Sequence, residues 1–281
     1  MLYQIARRLN ALNPTTYGLG TLALFAETYG SRPPEGSWTI EPGVVMRLNM
    51  SEYIERSIFL GSFERLTRRV ILDSLTPDSV FLDIGANVGY YSLIVSAKLG
   101  RSGRVLAFEP NPRMVARLRA NIELSSAPGI EIFALALSSD SGRATLFSPG
   151  SGNQGEASLV NQGWGECEQY SVPVSRLDDC LPPDLERVDL IKIDVEGAEA
   201  LVFEGAKRTI IRFAPAILLE INERAARSFG FGPLDATKRI LGFRPDYGIY
   251  RITSHSVTRS SLADLSTGAA SNCNLLLTPV R

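Results

Sequence analysis

Two rhythms of apolar residues divide the chain. Ser79–Ile84 is a short apolar run closing on Asp83 and Gly85, after which Val88, Tyr91, Val95 and Leu99 recur on one helical face. Arg104–Phe108 is a second strand, Pro112 opens a helix carrying Met114, Val115, Leu118 and Ile122, and Ile130–Leu137 is a third strand. Short strands and loops over 143–175 precede Val188–Ile193 (strand), Ala198–Ile211 (helix) and Ala216–Ile221 (strand). Strands alternating with helices of this length predict a parallel sheet with right-handed crossovers. Tyr247–Thr253 and Asn274–Pro279 lack a helical period and predict a closing antiparallel hairpin. Before residue 79 the pattern is irregular. It holds a candidate hairpin, Trp38–Glu41 with Val44–Asn49 around Pro42-Gly43, and a helix over Glu64–Leu75. The expected organisation is an N-terminal extension, 1–78, of helices and a hairpin, packed on an α/β domain, 79–281.

Composition narrows the chemistry. The 281 residues are 44% hydrophobic, enough for a buried core. The 29 basic and 30 acidic side chains leave a net charge of −1, against a broad basic face for nucleic acid. Pro182-Pro183 lies between Leu181 and Asp184, so it does not form the element that holds a flipped base. Cys167, Cys180 and Cys273 are scattered, which argues against a disulfide scaffold or zinc cage and for a reducing compartment. The single histidine, His255, rules out a multi-histidine metal site and is expected at the surface. The apolar stretch Leu19–Ala26 is too short to span a bilayer. No signal peptide or transmembrane helix is expected and the location is expected to be cytoplasmic, with a membrane-surface contact by residues 1–30 as the alternative.

The turn after the first strand reads Asp83-Ile84-Gly85-Ala86-Asn87-Val88-Gly89, where a ligand meets strand ends and a helix N-terminus. It is D-x-G-x-x-x-G rather than G-x-G-x-x-G. Asp83 puts negative charge where a pyrophosphate would be repelled and an ammonium or sulfonium attracted. Glu109, ending the second strand, can accept both hydroxyls of a ribose. Together these favour a nucleoside with a positively charged tail, S-adenosylmethionine. The plainer reading is a tight turn and a solvated acid.

After the fourth strand, Asp194-Val195-Glu196-Gly197-Ala198-Glu199 places three carboxylates at the exit of a central strand. Methyl transfer to an alcohol needs alignment and a proton acceptor, and with one histidine a carboxylate is the natural base. Glu196 is the expected base. Asp194 is expected to hold the cofactor's amino group, orient the acceptor or bind a divalent ion. Glu199 is expected only to complement the helix dipole, which is also the plainer reading of Asp194 and Glu196. Lys192 in a strand interior should pair with an acid or snorkel outward. Glu220 and Asn222 follow the fifth strand and with Asp194 could offer magnesium its hard ligands, although acids at strand ends are common and no metal ligand is assigned.

The chain resembles the FkbM family of S-adenosylmethionine-dependent methyltransferases over Ile40 to Pro279. The matching segments are Phe81–Leu93, Ala107–Pro112, Ala136–Ser138 and Ile191–Glu199, with weaker matches at Gly61-Ser62-Phe63-Glu64 and Asn272–Leu276. The resemblance implies a class I methyltransferase (Rossmann-like) fold, a mostly parallel seven-stranded sheet with the last strand antiparallel. It also implies O-methylation of hydroxyls on sugars, glycans or secondary metabolites, the acceptor being a small molecule or glycan. Carried over, Asp83, Gly85, Asn87 and Gly89 line the methionine part, Glu109 holds the ribose, Ser138 lies near the adenine, and Pro110 and Asn111 are also expected to bind the cofactor. Related sugar O-methyltransferases use magnesium with an acid two residues after a metal-binding aspartate, a spacing that Asp194 and Glu196 share. No aspartate pair follows the fifth strand here. Glu64 could reach the acceptor pocket from the N-terminal segment. An NAD-dependent oxidoreductase and a non-catalytic nucleoside-binding scaffold are the competing readings. The long segments Phe147–Trp164 and Ser254–Ser271 are expected to be substrate loops.

Overall fold

In the computed structural model, residues 2–12, 28, 35–149, 156–266 and 273–280 are described. The hairpin forms as expected: β1 (Gly36–Glu41) and β2 (Val44–Leu48) pair antiparallel, and Gly43 takes the left-handed φ of 80° that the turn requires. The described N-terminal residues also form helices at Leu2–Leu12, Tyr53–Leu60 and Arg65–Asp73. Next come β3 (Val80–Ile84), β4 (Arg104–Phe108), β5 (Ile130–Phe133), β6 (Ala136–Leu137), β7 (Gly142–Pro149) and β8 (Cys167–Ser175). They are followed by β9 (Leu190–Ile193), β10 (Ala216–Ile221), β11 (Tyr247–Ile252), β12 (Val257–Ser260) and β13 (Cys273–Pro279).

The main sheet runs β5-β4-β3-β9-β10-β13-β11-β12. From β5 to β10 every neighbour is parallel, and β13 runs antiparallel to both β10 and β11. These first seven strands are the class I methyltransferase arrangement. An eighth strand adds to it: the Thr253–Ser256 turn folds β12 back along β11, so β11 and β13 pair without being joined as one hairpin. Every residue of β3 and β9 is buried, which is why both read as continuous apolar runs rather than alternating ones.

Three further expectations are corrected. The third strand, 130–137, breaks after Phe133, and Ala136–Leu137 joins β7 and β8 in a separate three-stranded sheet. The helix expected at 198–211 is two, Glu199–Gly205 and Lys207–Phe213. Gly205 presses against the Ser138 carbonyl, where a Cβ would come within 2.1 Å. The polar stretches expected as substrate loops carry the end of β7 and all of β12, while 150–155 and 267–271 lie outside the described residues.

Cores flank the sheet on both faces. Leu82, Ile84, Phe108, Val202, Phe203 and Ile240 belong to one, and Phe81, Leu93, Val95, Met46, Leu48 and Phe59 to the other. The hairpin is therefore part of the second core. It is tied to the helix Pro112–Ser125 where Arg47 N–H donates to Asn121 Oδ1 (2.8 Å) and Val45 N–H to Ser125 Oγ (3.0 Å). No described helix is long and apolar enough to cross a membrane. The contact considered for residues 1–30 falls largely on 13–27 and 29–30, outside the described residues.

Candidate active site

The carboxyl ends of β3, β4 and β9 open into a cleft. Its apolar wall is Ile84, Phe108, Met114, Leu135, Leu137 and Leu146; its polar groups include Asn87, Glu109, Asp194 and Glu196. The glycine turn sits at its base. Gly85 has φ 81°, and a Cβ there would lie 1.9 Å from the Asp194 carbonyl oxygen, so β3 and β9 exit too close together for any side chain. Asn87 also takes a left-handed φ, 52°, and its N–H points to Glu109.

Glu109 ends β4 almost wholly buried. Its Oε2 accepts the Asn87 N–H and its Oε1 the Asn111 N–H, both at 2.8 Å. Each oxygen keeps a lone pair, and the carboxylate borders the cleft. Burial raises its pKa to about 7, against the lowering effect of those two N–H donors. Pro110 also lines the cleft. Asn111 is placed otherwise than expected: its side chain caps the helix Pro112–Ser125 by accepting the Arg113 N–H (3.0 Å), and its amide faces Ser148 Oγ. Only its backbone serves the site, by holding Glu109. Ser138 also lies outside the cleft wall, against Gly205, while Leu135, Ala136 and Leu137 take the expected position. Gly89 packs on Leu118, where a Cβ would come within 2.3 Å.

Asp83 is fully buried beneath the turn. Ser92 Oγ donates to its Oδ2 (2.6 Å), while Oδ1 has no hydrogen-bond partner among the described residues and faces Lys192 Nζ at 3.9 Å. Burial raises the Asp83 pKa, with Lys192 opposing. Lys192 pairs rather than snorkels: its ammonium reaches Asp194 Oδ2 (3.3 Å) and the Gly85 carbonyl (3.5 Å), and lies 5.3 Å from the Tyr91 ring centroid. Burial lowers its pKa, and Asp194 with Asp83 outweighs that, leaving it raised.

Glu196 sits at φ 53° in the turn after β9. Ser158 Oγ (3.1 Å) and Gln162 Nε2 (2.9 Å) donate to its carbonyl, and Asn222 Nδ2 approaches its Oε2 at 3.4 Å. Burial, then the Asp194 and Glu220 carboxylates, raises the Glu196 pKa. Asp194, then burial, raises that of Glu220. Glu199 braces the turn by accepting the Val195 and Gly197 N–H groups at 3.2 Å each, a larger part than dipole complementation. Ser158 and Gln162 escaped the sequence reading because nothing in that polar segment signals a contact across the cleft. His255 is exposed in the β11–β12 turn.

The donor set does not fit magnesium. Among the described residues no three His, Cys, Asp or Glu side chains are arranged for a metal ion, and Asn222 Oδ1 is spent capping the helix Glu223–Ser228. It does fit a nucleoside: Glu109 retains lone pairs for two hydroxyls, the apolar wall suits a base, and the Asp194 and Glu196 carboxyls line the far part of the cleft, whereas Asp83, expected to line it, is buried beneath the turn facing Lys192.

Sheet order, glycine turn and the parallel strand exits together define a class I methyltransferase fold. A model of the methyltransferase FkbM domain matches residues 83–252, and the chain belongs to that family. It is 32% identical over 215 residues to the AMB antimetabolite synthetase AmbE of Pseudomonas aeruginosa, covering 64% of this chain and 10% of that protein. It is 33% identical over 162 residues to the 2-O-methyltransferase NoeI of Sinorhizobium fredii (53% and 65%). It is 28% identical over 172 residues to the hexuronic acid methyltransferase AglP of Haloferax volcanii (60% and 64%). The chain thus spans a tenth of AmbE and just under two thirds of the other two.

Proposed function

We propose that the chain is an S-adenosylmethionine-dependent O-methyltransferase whose acceptor is a hydroxyl of a sugar, glycan or secondary metabolite. The observation that carries this is Glu109, presented to the cleft by two backbone N–H groups beside an acidic strand exit. The names of NoeI and AglP support the methyl-transfer class and, for AglP, a sugar acid. The buried negative charge of Asp83 at the turn disfavours a pyrophosphate and with it the oxidoreductase reading.

S-adenosylmethionine supplies an electrophilic methyl group on a sulfonium. The chain's residues then do the rest. Glu109 fixes the ribose, the wall of Phe108, Met114 and Leu137 holds the base, Asp194 at the cleft wall faces the positive charge, and Asp83 beneath the turn holds Lys192. Glu196 takes the acceptor's hydroxyl proton as the oxygen–carbon bond forms. Its raised pKa makes the ionised form a stronger proton acceptor than an ordinary carboxylate and leaves less of it ionised at neutral pH, so methyl transfer should rise as pH increases. Residues 1–78 act in this reading as an extension that completes the site from the N-terminal side.

Calorimetric titration with S-adenosylhomocysteine, with NAD in parallel, tests the class. Micromolar binding of S-adenosylhomocysteine alone is expected. Binding of NAD alone overturns the reading.

A further inference from the structure

Two sequence segments that the reaction leaves unused, Gly61–Glu64 and the start of β13, meet in space. Glu64 immediately precedes the helix Arg65–Asp73 at φ 37°, and its side chain makes no cap. Instead its Oε2 accepts the Tyr91 hydroxyl and its Oε1 accepts Asn274 Nδ2 at 2.9 Å, a contact spanning 210 positions. Asn274 is fixed in turn by Thr67 Oγ1 (3.0 Å) and by its register opposite Glu220. The Tyr91 ring, 4% exposed, lies against the Lys192 ammonium. Lys192 is the cation that ties both strand exits together, through Asp83 and the Gly85 carbonyl on one side and Asp194 on the other.

We propose that Glu64 is a positioning residue for the cofactor turn: with Asn274 it clamps Tyr91 over Lys192, sealing the ammonium from water and committing it to Asp194 and the Gly85 carbonyl. The proposal rests on the methyltransferase reading only for its consequence in catalysis; the clamp itself does not. A hydroxyl donating to a fixed carboxylate holds the ring in one rotamer, and a ring over an ammonium gains more when water is excluded. Without Glu64 the Tyr91 hydroxyl is a buried donor with no acceptor, and the ring leaves that pose to reach water. Lys192 is then hydrated, and the Asp194–Gly85 approach that shapes the cleft loosens. The N-terminal segment thereby sets the geometry of a site to which it gives no cleft-lining carboxylate.

The test is the rate of reductive methylation of Lys192 by formaldehyde and cyanoborohydride, followed by mass spectrometry of the full-length protein. Glu64→Ala is expected to speed Lys192 labelling at least about tenfold while other lysines keep their rates, and to weaken S-adenosylhomocysteine binding about tenfold. Glu64→Gln, which keeps an acceptor for Tyr91, should restore protection and affinity, whereas Glu64→Leu, which fills the space without an acceptor, should not. Thermal melting monitors the fold. If Glu64→Ala does not fold, Glu64→Leu, which likewise leaves the Tyr91 hydroxyl without its acceptor, should open Lys192 in the same way. Unchanged Lys192 labelling in the folded variant overturns the proposal. Failure of the wild-type protein to bind S-adenosylhomocysteine would instead count against the methyltransferase reading, and the labelling result would still decide the clamp.

Discussion

Glu109 makes cofactor affinity depend on pH. Its pKa of about 7 lies well above the ordinary 4.5, because burial opposes the ionised form more than the two N–H donors support it. Only the ionised carboxylate has acceptor capacity for two ribose hydroxyls beyond the Asn87 and Asn111 N–H groups. With that pKa, about a tenth of the carboxyls are ionised at pH 6 and about nine tenths at pH 8. The apparent Kd for S-adenosylhomocysteine should therefore be about tenfold weaker at pH 6 than at pH 8, close to 1.4 kcal/mol. Glu109→Gln should flatten the profile and weaken binding at pH 8 by about ten- to a hundredfold, the scale of a lost charge-assisted pair. Stability moves the opposite way. The folded carboxyl holds its proton longer than the unfolded one, so folding stability falls as pH rises from about 4.5 to 7, by up to about 3 kcal/mol, and the Gln variant lacks that slope. Calorimetric titrations at pH 6, 7 and 8, with urea unfolding at the same values, measure both. A wild-type Kd that stays constant across this range, or full affinity in the Gln variant, refutes the ribose assignment.

Other substitutions probe the remaining geometry. Gly85→Ala meets both a left-handed φ and the Asp194 carbonyl at 1.9 Å. It should cost at least about 2 kcal/mol in urea unfolding and abolish S-adenosylhomocysteine binding; a variant as stable as wild type sinks the close approach. Lys192→Met removes the cation shared by buried Asp83 and by Asp194. It should cost about 3 kcal/mol at pH 8. Because Asp83 already has a raised pKa and would be raised further, the deficit should shrink toward pH 5, and an equal loss at both values would contradict the pairing. Glu196→Gln should leave S-adenosylhomocysteine affinity within about twofold while lowering methyl transfer to glycoside acceptors by about a hundredfold or more. Retained turnover, followed with radiolabelled S-adenosylmethionine, removes Glu196 as the base.

How far the sequence reached depended on whether a signal was local. The parallel strands were legible because burial on both faces forces continuous apolar runs, as in Val80–Ile84 and Leu190–Ile193. Gly85 was legible because its left-handed φ and its close approach to β9 leave only one residue type. The break after Phe133 was not, since Ile130–Leu137 keeps one apolar rhythm through the point where the chain changes sheets. Asn111 was misplaced because a cap and a ligand contact ask for the same amide, and only the Arg113 N–H at 3.0 Å decides between them.

The acidic strand exit shows the same limit more sharply. Asp194, Glu196 and Glu199 look alike in sequence, yet their partners separate them. Glu199 spends its Oε1 on two backbone N–H groups, and Asp194 is held by Lys192. Among the described residues Glu196 has only a 3.4 Å approach from Asn222 at its carboxylate, while Ser158 and Gln162 restrain its backbone. A proton acceptor must be fixed in place but not saturated, and of the three only Glu196 combines a restrained backbone with a lightly occupied carboxylate at the cleft wall. The assignment of the base thus rests on which oxygens the fold leaves uncommitted, a property that residue identity and spacing do not carry.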